Sequence, residues 1–467
     1  MQSRRRMSLM VAIVCVAVGS SLAVVAADKP ADKKPAAKKP AAAKPAAAEA
    51  VYPPTLPGGK VSVVVESDAL LSPPATLRSD VGVAKTPPKV EFFFYPEQTY
   101  AGNPWSIWGD SSYTNGKYYS AIGDHKAPQG NGFVFEFDPA TNTFRKVLDI
   151  DQTLNMPEGH YQPSKIHSHV DLADDGYVYC STHRGSTRVT TDEYHYKGDW
   201  ILRADPKTGK AEVVVQAPVS KHCLPNGLTD RKRLIFYGGT APGSNDDKSG
   251  IQFFAYDLKN RKLLYSGPEG PARSMILSSS TGRVYYVPGT GDTPLMRYDA
   301  ASGKPPVQIA GTIGVRAATE ETPQGVVYTI SQGQGGAESQ VYAFDVNSEK
   351  ITTLGPAAVG ENQYVASVKA DPTGRYLYYA PGAHGGSQKD NSAVVQFDTK
   401  TKTRKVIAFL HPALSEKINA SCAGTYGVSI DERGERLFIT WNVLRTGRVW
   451  DCCGLTVIHI PASERPL

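Results

Sequence analysis

FVFEFDPATNT at 133–143, WILRADPKTGK at 200–210, QFFAYDLKNRK at 252–262, LMRYDAASGK at 295–304, VYAFDVNSEK at 341–350 and VVQFDTKTK at 394–402 are six copies of one pattern. Each is a β-branched and aromatic strand that ends in an aspartate, followed by a polar turn. The aspartates are Asp138, Asp205, Asp257, Asp299, Asp345 and Asp398, and a degenerate seventh copy, LTVIHIPAS, runs from 455 to 463. The shortest spacing, 42 residues between Asp257 and Asp299, matches one four-stranded propeller blade of about 40–50 residues.

A second marker keeps the same period. Glycine-ended turns between the first and second strands read TNG at 114–116, ADDG at 173–176, SSTG at 279–282, TPQG at 322–325, DPTG at 371–374 and DERG at 431–434. With no long helical period anywhere, the chain reads as all-β: a seven-bladed β-propeller of four-stranded blades over residues 51–467. The last blade lacks a fourth strand after Ile460, so an early segment, Lys89 to Tyr95, is expected to supply it and close the ring, removing an exposed edge.

What precedes the ring is of another kind. Arg4, Arg5 and Arg6, an apolar run from Met7 to Val25 and small residues at Ala26 and Ala27 predict a signal peptide over 1–27, with an uncleaved membrane anchor as the alternative. Residues 28–50, almost wholly Ala, Lys and Pro, predict a disordered spacer. The expected location is secreted or periplasmic, with cell-surface tethering if the signal stays attached.

The signal and the spacer together explain the basic balance. Of 51 Lys+Arg and 45 Asp+Glu, nine and three fall in the first fifty residues, so the ring carries 42 of each sign. That leaves no electrostatic footprint for nucleic acid, and a monomer is expected. Five cysteines lie beyond the signal, Cys180, Cys223, Cys422, Cys452 and Cys453; their spacing fits no zinc module, and Cys223 with Cys422 is a candidate disulfide.

Nine of ten histidines fall in or beside the loops that emerge on one propeller face: His125, His160, His167, His169, His183, His195, His222, His384 and His411. The longest insertions, LNMPEGHYQPSKIH at 154–167 and RGSTRVTTDEYHYKGD at 184–199, join them. His125, His183 and His384 recur at equivalent ends of second strands, in GDHK, STHRG and GAHGG, and should approach one central cavity. His167 and His169, two apart on an inner strand, should project to the same side, so His125, His167, His169 and His183 are the candidate ligands of one divalent transition metal, zinc, copper or iron. Arg273 and Arg316 start corresponding inner strands, with Asn226, Tyr364 and Tyr426 at similar points and His384 nearby. This set is expected to bind an anionic glycan or a small anionic substrate.

No GxSxG elbow, P-loop, HExxH or dinucleotide fingerprint is present. KIHSHVDLADDGYVYCSTHRG at 165–185, followed by Tyr194, His195, Tyr196 and Arg203, resembles propeller-fold polysaccharide lyases of the ulvan and rhamnose-glucuronate type, which cleave uronate glycans by β-elimination. The resemblance covers about forty residues, and the histidine spacing differs. It implies that His167 or His183 takes the uronate C5 proton, Tyr194 or Tyr196 protonates the leaving oxygen, and Arg273 and Arg316 neutralise the carboxylate. A gluconolactonase-like, metal-dependent hydrolase is the second reading, with Asn226 and Glu361 well placed for it; a non-catalytic glycan- or protein-binding propeller is the third.

Overall fold

A computed structural model describes residues 50–289, 294–333, 337–445 and 448–466, leaving aside the side chains of 448 and 449. The predicted signal peptide and all of the spacer but Ala50 lie outside the described residues.

The repeated aspartates shape six of the seven blades. Each ends or directly follows its third strand, and its carboxylate accepts a backbone N–H two or three residues on: Asp138 from Ala140, Asp205 from Lys207, Asp257 from Asn260, Asp299 from Ala301, Asp345 from Asn347 and Asp398 from Lys400. That local bond stabilises the turn into the fourth strand. The glycines of the other turns, from Gly116 to Gly434, all have φ between +68° and +85°, a conformation that costs glycine nothing. Blade 3 has no such glycine and places Leu234 there at φ +55°.

Seven antiparallel sheets result, making a seven-bladed propeller. Blades 1, 3, 4 and 5 have four strands each. In blade 7 the strand Lys89–Phe94 pairs with Arg448–His459, in register from Lys89 with His459 to Phe94 with Gly454. The ring therefore closes with the expected N-terminal segment, and His459 bonds Glu91 across the seam at 2.7 Å. Two further segments extend the blades. Val63–Val65 pairs with the outer edge of Lys89–Phe94, and Gly82–Val83 runs parallel beside Thr403–Phe409 of blade 6. Apolar side chains fill the space between blades: Tyr378, Val394 and Ile407 of blade 6 pack in one cluster with Trp441, Val443 and Ile458 of blade 7.

Blade 2 departs from the regular pattern. Its innermost strand is broken into Lys165–Ile166 and Asp171–Leu172, and the HSHV segment between them leaves the ladder. His167 and His169 therefore reach their common cavity from outside the ladder and not by simple strand alternation.

The cysteines also differ from expectation. All five are buried and free; Cys223 is in blade 3 and Cys422 in blade 7, so the candidate disulfide does not form. Each fills its own blade as a small apolar residue. Among the described residues no helix is long and apolar enough to cross a membrane.

Candidate functional site at the channel mouth

Trp108 organises the site, and sequence reading overlooked it. It lies in the segment leading to the first strand of blade 1, which Asn442 of blade 7 holds by accepting the Ile107 N–H at 2.8 Å. The next residue must be glycine: a Cβ on Gly109 would sit 2.3 Å from the Ser168 carbonyl oxygen. That close approach sets Trp108 and Asp110 against the broken strand of blade 2.

Five histidines gather there. His167 stacks on Trp108 with centroids 5.5 Å apart, and His183 stacks on His167 at 4.0 Å. His125 and His384 meet the indole edge-on, both at 5.7 Å. His169 faces Asp110 at 3.8 Å. The three second-strand histidines thus reach one centre from blades 1, 2 and 6. His160 and His195 stack on each other instead, 4.1 Å apart, within the blade 2 insertion. His222 is bonded to Thr240 and Ser249, and His411 to Ser415.

A cavity of about 130 Å³ opens beside Trp108, lined by Asp110, His167, His169, Arg273, Arg316, Tyr364, His384 and Tyr426, among others. The Arg316 guanidinium Nε donates to the Tyr364 hydroxyl at 2.7 Å and lies over that ring at 4.7 Å. Lys165 Nζ lies over the Trp108 ring, 4.6 Å from its centroid. The Arg184 Nε donates to Cys223 Sγ and that of Arg273 has no carboxylate to meet; Arg273 donates through Nη1 to the Ala272 carbonyl. Among the described residues, none of Lys165, Arg184, Arg273 and Arg316 pairs with a carboxylate. Asp110, the one carboxylate lining the cavity, is shared between Lys369 at 3.6 Å and His169. The mouth therefore carries uncompensated positive charge.

That charge and burial decide the protonation states. Burial first, then the neighbouring cations, holds His167 and His183 well below the usual imidazole range, and Arg273 acts on both. Burial pushes His125 down to about 3 and Lys165 down to about 7, with Arg184 adding to the latter. His384 is lowered by burial and by Arg316 and Arg273. His167 Nε2 is shielded from solvent and has no hydrogen-bond partner. A buried polar atom left so costs about 1–3 kcal/mol, which marks a place where a ligand group belongs.

The four histidines expected to hold a metal do not form a donor set. His125 donates through Nδ1 to the Pro104 carbonyl and accepts the Trp108 indole N–H at Nε2, at 2.7 and 2.8 Å, so both nitrogens are occupied. His167 and His183 present parallel faces to each other, and His169 turns to Asp110. Among the described residues no three His, Cys, Asp or Glu side chains are grouped to hold an ion.

The expected tyrosine acids also fall elsewhere. Tyr196 is 3% exposed, packs edge-on against Tyr161 at 4.8 Å and reaches Asp199 at 3.3 Å. Tyr194 packs on the same blade 2 core. Neither lines the cavity, where the tyrosines are Tyr364 and Tyr426. Asn226 lines it but has a structural task, since its amide donates to the Pro271 carbonyl and accepts from Gly239 N–H. Glu361 is exposed and outside the cavity lining.

The opposite mouth holds a larger cavity of about 620 Å³, where carboxylates outnumber the cations among the described lining residues and the central charges pair. Arg231 bonds Asp171 and Glu320 at 3.0 and 3.3 Å, and Lys369 lies 3.7 Å from Glu320. The histidine side is the end with positive charge to spare.

No family model and no curated protein matches the sequence. Solved structures do. An oligogalacturonate lyase in complex with manganese superposes with a TM-score of 0.52 at 10% identity, covering 86% of this chain and 99% of that one. The oligogalacturonate lyase of Vibrio parahaemolyticus superposes with a TM-score of 0.52 at 9% identity, over 87% and 100%. At such identities the likeness is one of fold.

Proposed function

We propose that the chain is an exported, glycan-active lyase that cleaves a uronate-containing polysaccharide or oligosaccharide by β-elimination at the channel mouth. The observation that carries this reading is the meeting of two unpaired guanidiniums, Arg273 and Arg316, with the uncharged imidazole of His167, whose Nε2 lacks a partner. The lyase propellers among the solved structures give the fold a precedent for this chemistry, and the blade 2 resemblance points to the ulvan and rhamnose-glucuronate type.

The reaction requires a cationic site for the carboxylate, a base at C5 and an acid at the leaving oxygen. Arg273 and Arg316 bind the uronate carboxylate and hold the charge that spreads onto it as the C5–H bond breaks. His167 takes that proton. Burial first, and then its charged neighbours, keep it neutral when the site is empty, and an arriving carboxylate offsets the cations and raises its basicity. The electron pair from C5–H forms the C4=C5 bond while the C4–O bond breaks. Tyr364 accepts a hydrogen bond from Arg316, which leaves its own proton to donate to the departing oxygen. His183 backs His167, and Trp108 fixes the plane of both.

The test is to incubate the purified chain with a panel of uronate polysaccharides and follow the ultraviolet absorbance of an unsaturated uronate. Product formation supports the reading. Binding without product would make the chain a glycan-binding propeller.

A further inference from the structure

Blade 3 holds a second set of polar side chains on the histidine face, and the chemistry of the channel mouth leaves them unused. His222 begins its innermost strand, His222–Asp230, and the neighbouring strand Ile235–Pro242 carries Thr240. The loop from Gly243 to Ile251 brings Ser249 back over the histidine. His222 is 2% exposed, whereas Ser249 lies on the surface.

These three side chains form one line of hydrogen bonds. His222 Nδ1 meets Thr240 Oγ1 at 2.7 Å, and His222 Nε2 meets Ser249 Oγ at 2.7 Å. Thr240 Oγ1 also accepts the Gln252 N–H at 3.1 Å, the part of an acceptor. With the ring proton placed on Nδ1 and held by Thr240, the Nε2 lone pair is free to accept the Ser249 proton. A nucleophile bonded to a base, which a third group orients, is the arrangement that activates a serine. Asp247 supports it twice. Its Oδ1 accepts the Ser249 N–H at 2.9 Å, which fixes the serine in its turn, and its Oδ2 lies 3.6 Å from His222 Nε2, where it stabilises an imidazolium. Burial, opposed by Asp247, holds His222 below the usual imidazole range, so the base is neutral before reaction.

The surroundings select a short acyl group. Asn245, Asp246, Lys248 and Gly250 are exposed, and nothing lies within 4 Å of where a Cβ on Gly250 would sit. An ester carbonyl can approach Ser249, but these polar and small residues give a long acyl chain no apolar wall. Pro225, three residues along the strand from His222, lines the cavity at the channel mouth, roughly 10 Å away by strand rise.

We propose that Ser249 and His222 form a second catalytic centre, with Thr240 as its positioning residue, which hydrolyses esters of short carboxylic acids such as acetate. Ser249 Oγ adds to the ester carbonyl carbon as its proton passes to His222 Nε2. The tetrahedral oxyanion collapses, the bond to the alcohol oxygen breaks, and that oxygen takes the proton from Nε2. Water then adds to the acyl-serine and gives its proton to Nε2; the acid departs as Ser249 Oγ takes the proton back. That the alcohol is a glycan held at the channel mouth rests on the lyase reading; the acyl transfer does not.

The full chain is tested with para-nitrophenyl acetate, following release of nitrophenolate, and with phenylmethanesulfonyl fluoride, followed by peptide mass spectrometry. Wild type should release nitrophenolate and carry the sulfonyl group on Ser249, and Ser249→Ala, a change at an exposed side chain, should lose turnover by about 10²-fold or more. Thr240→Val should lower kcat with KM unchanged, and Thr240→Ser should restore it. Turnover that Ser249→Ala leaves unchanged, or a Ser249 that the sulfonyl fluoride does not modify, would overturn the proposal. Neither readout involves a uronate, so failure here leaves the lyase reading standing, and a chain that forms no unsaturated uronate leaves this centre standing.

Discussion

His167 and His183 lie face to face, their ring centroids 4.0 Å apart and their planes within 10° of parallel. Two imidazoles so placed cannot both be protonated without direct repulsion, and burial already disfavours charge on each. The fold thus holds both in their neutral form.

A pH dependence of stability follows. Above about pH 6.5, the ordinary imidazole value, neither folded nor unfolded chain protonates these residues and they contribute no slope. Below it the unfolded chain binds protons that the fold refuses, so stability falls as pH drops toward the depressed folded values. Melting temperature measured from about pH 7 down to pH 4 should decline, and His183→Gln should decline less over that range. An identical slope in both proteins would contradict the stacked, neutral pair.

Two tyrosines separate chemistry from packing. Tyr364→Phe removes the proton offered to the leaving group and should lower kcat by about 10²–10⁴-fold with little change in stability. Tyr196→Phe removes a hydrogen bond to the buried Asp199 and should cost about 1 kcal/mol of stability while kcat stays near wild type. The reverse pattern would return the acid to the blade 2 insertion.

Arg316 has a geometric as well as an electrostatic role, because one guanidinium both holds Tyr364 and faces the cavity. Arg316→Lys keeps the charge but loses the planar fork. It should reduce kcat/KM by about 10²-fold or more, with the loss in kcat as well as KM. A change in KM alone would reduce Arg316 to a simple anion anchor.

Lys165, pushed down to about 7 by burial and by Arg184, should be largely unprotonated at about pH 8, where surface lysines remain charged. Competitive acylation over a range of pH, read by peptide mass spectrometry, should show the reactivity of Lys165 levelling off above about pH 7, where that of an ordinary surface lysine goes on rising tenfold per pH unit. Reactivity at Lys165 that keeps rising through about pH 9 would contradict its buried, cationic surroundings.

The blades were legible in the sequence because their signals are local. An aspartate that caps its own turn and a glycine at positive φ act within four residues, so the period from Asp138 to Asp398 translated directly into strands. The closing strand followed from counting, since an unfilled edge at Ile460 needs a partner. The site was legible only in part. His125, His183 and His384 could be matched by position in the blade, but Trp108 and Lys165 carry no motif, and their place beside those rings depends on how blades 1 and 2 abut at Gly109. His167 and His169 were assigned a common side from strand alternation; both do line one cavity, but through the break between Ile166 and Asp171 rather than by alternation. Tyr194 and Tyr196 stand close to the histidines in sequence, yet the insertion folds back onto Tyr161 and Trp200 and buries Tyr196.

The most direct test compares wild type with His167→Gln on the uronate glycan that wild type turns over best, following the absorbance of unsaturated uronate, with a melting curve for each protein. Steady product from wild type, and its loss by about 10²-fold or more in a variant that still folds, is the predicted result. Unchanged product formation by His167→Gln would contradict the account, as would a wild-type chain that binds such glycans and never cleaves them.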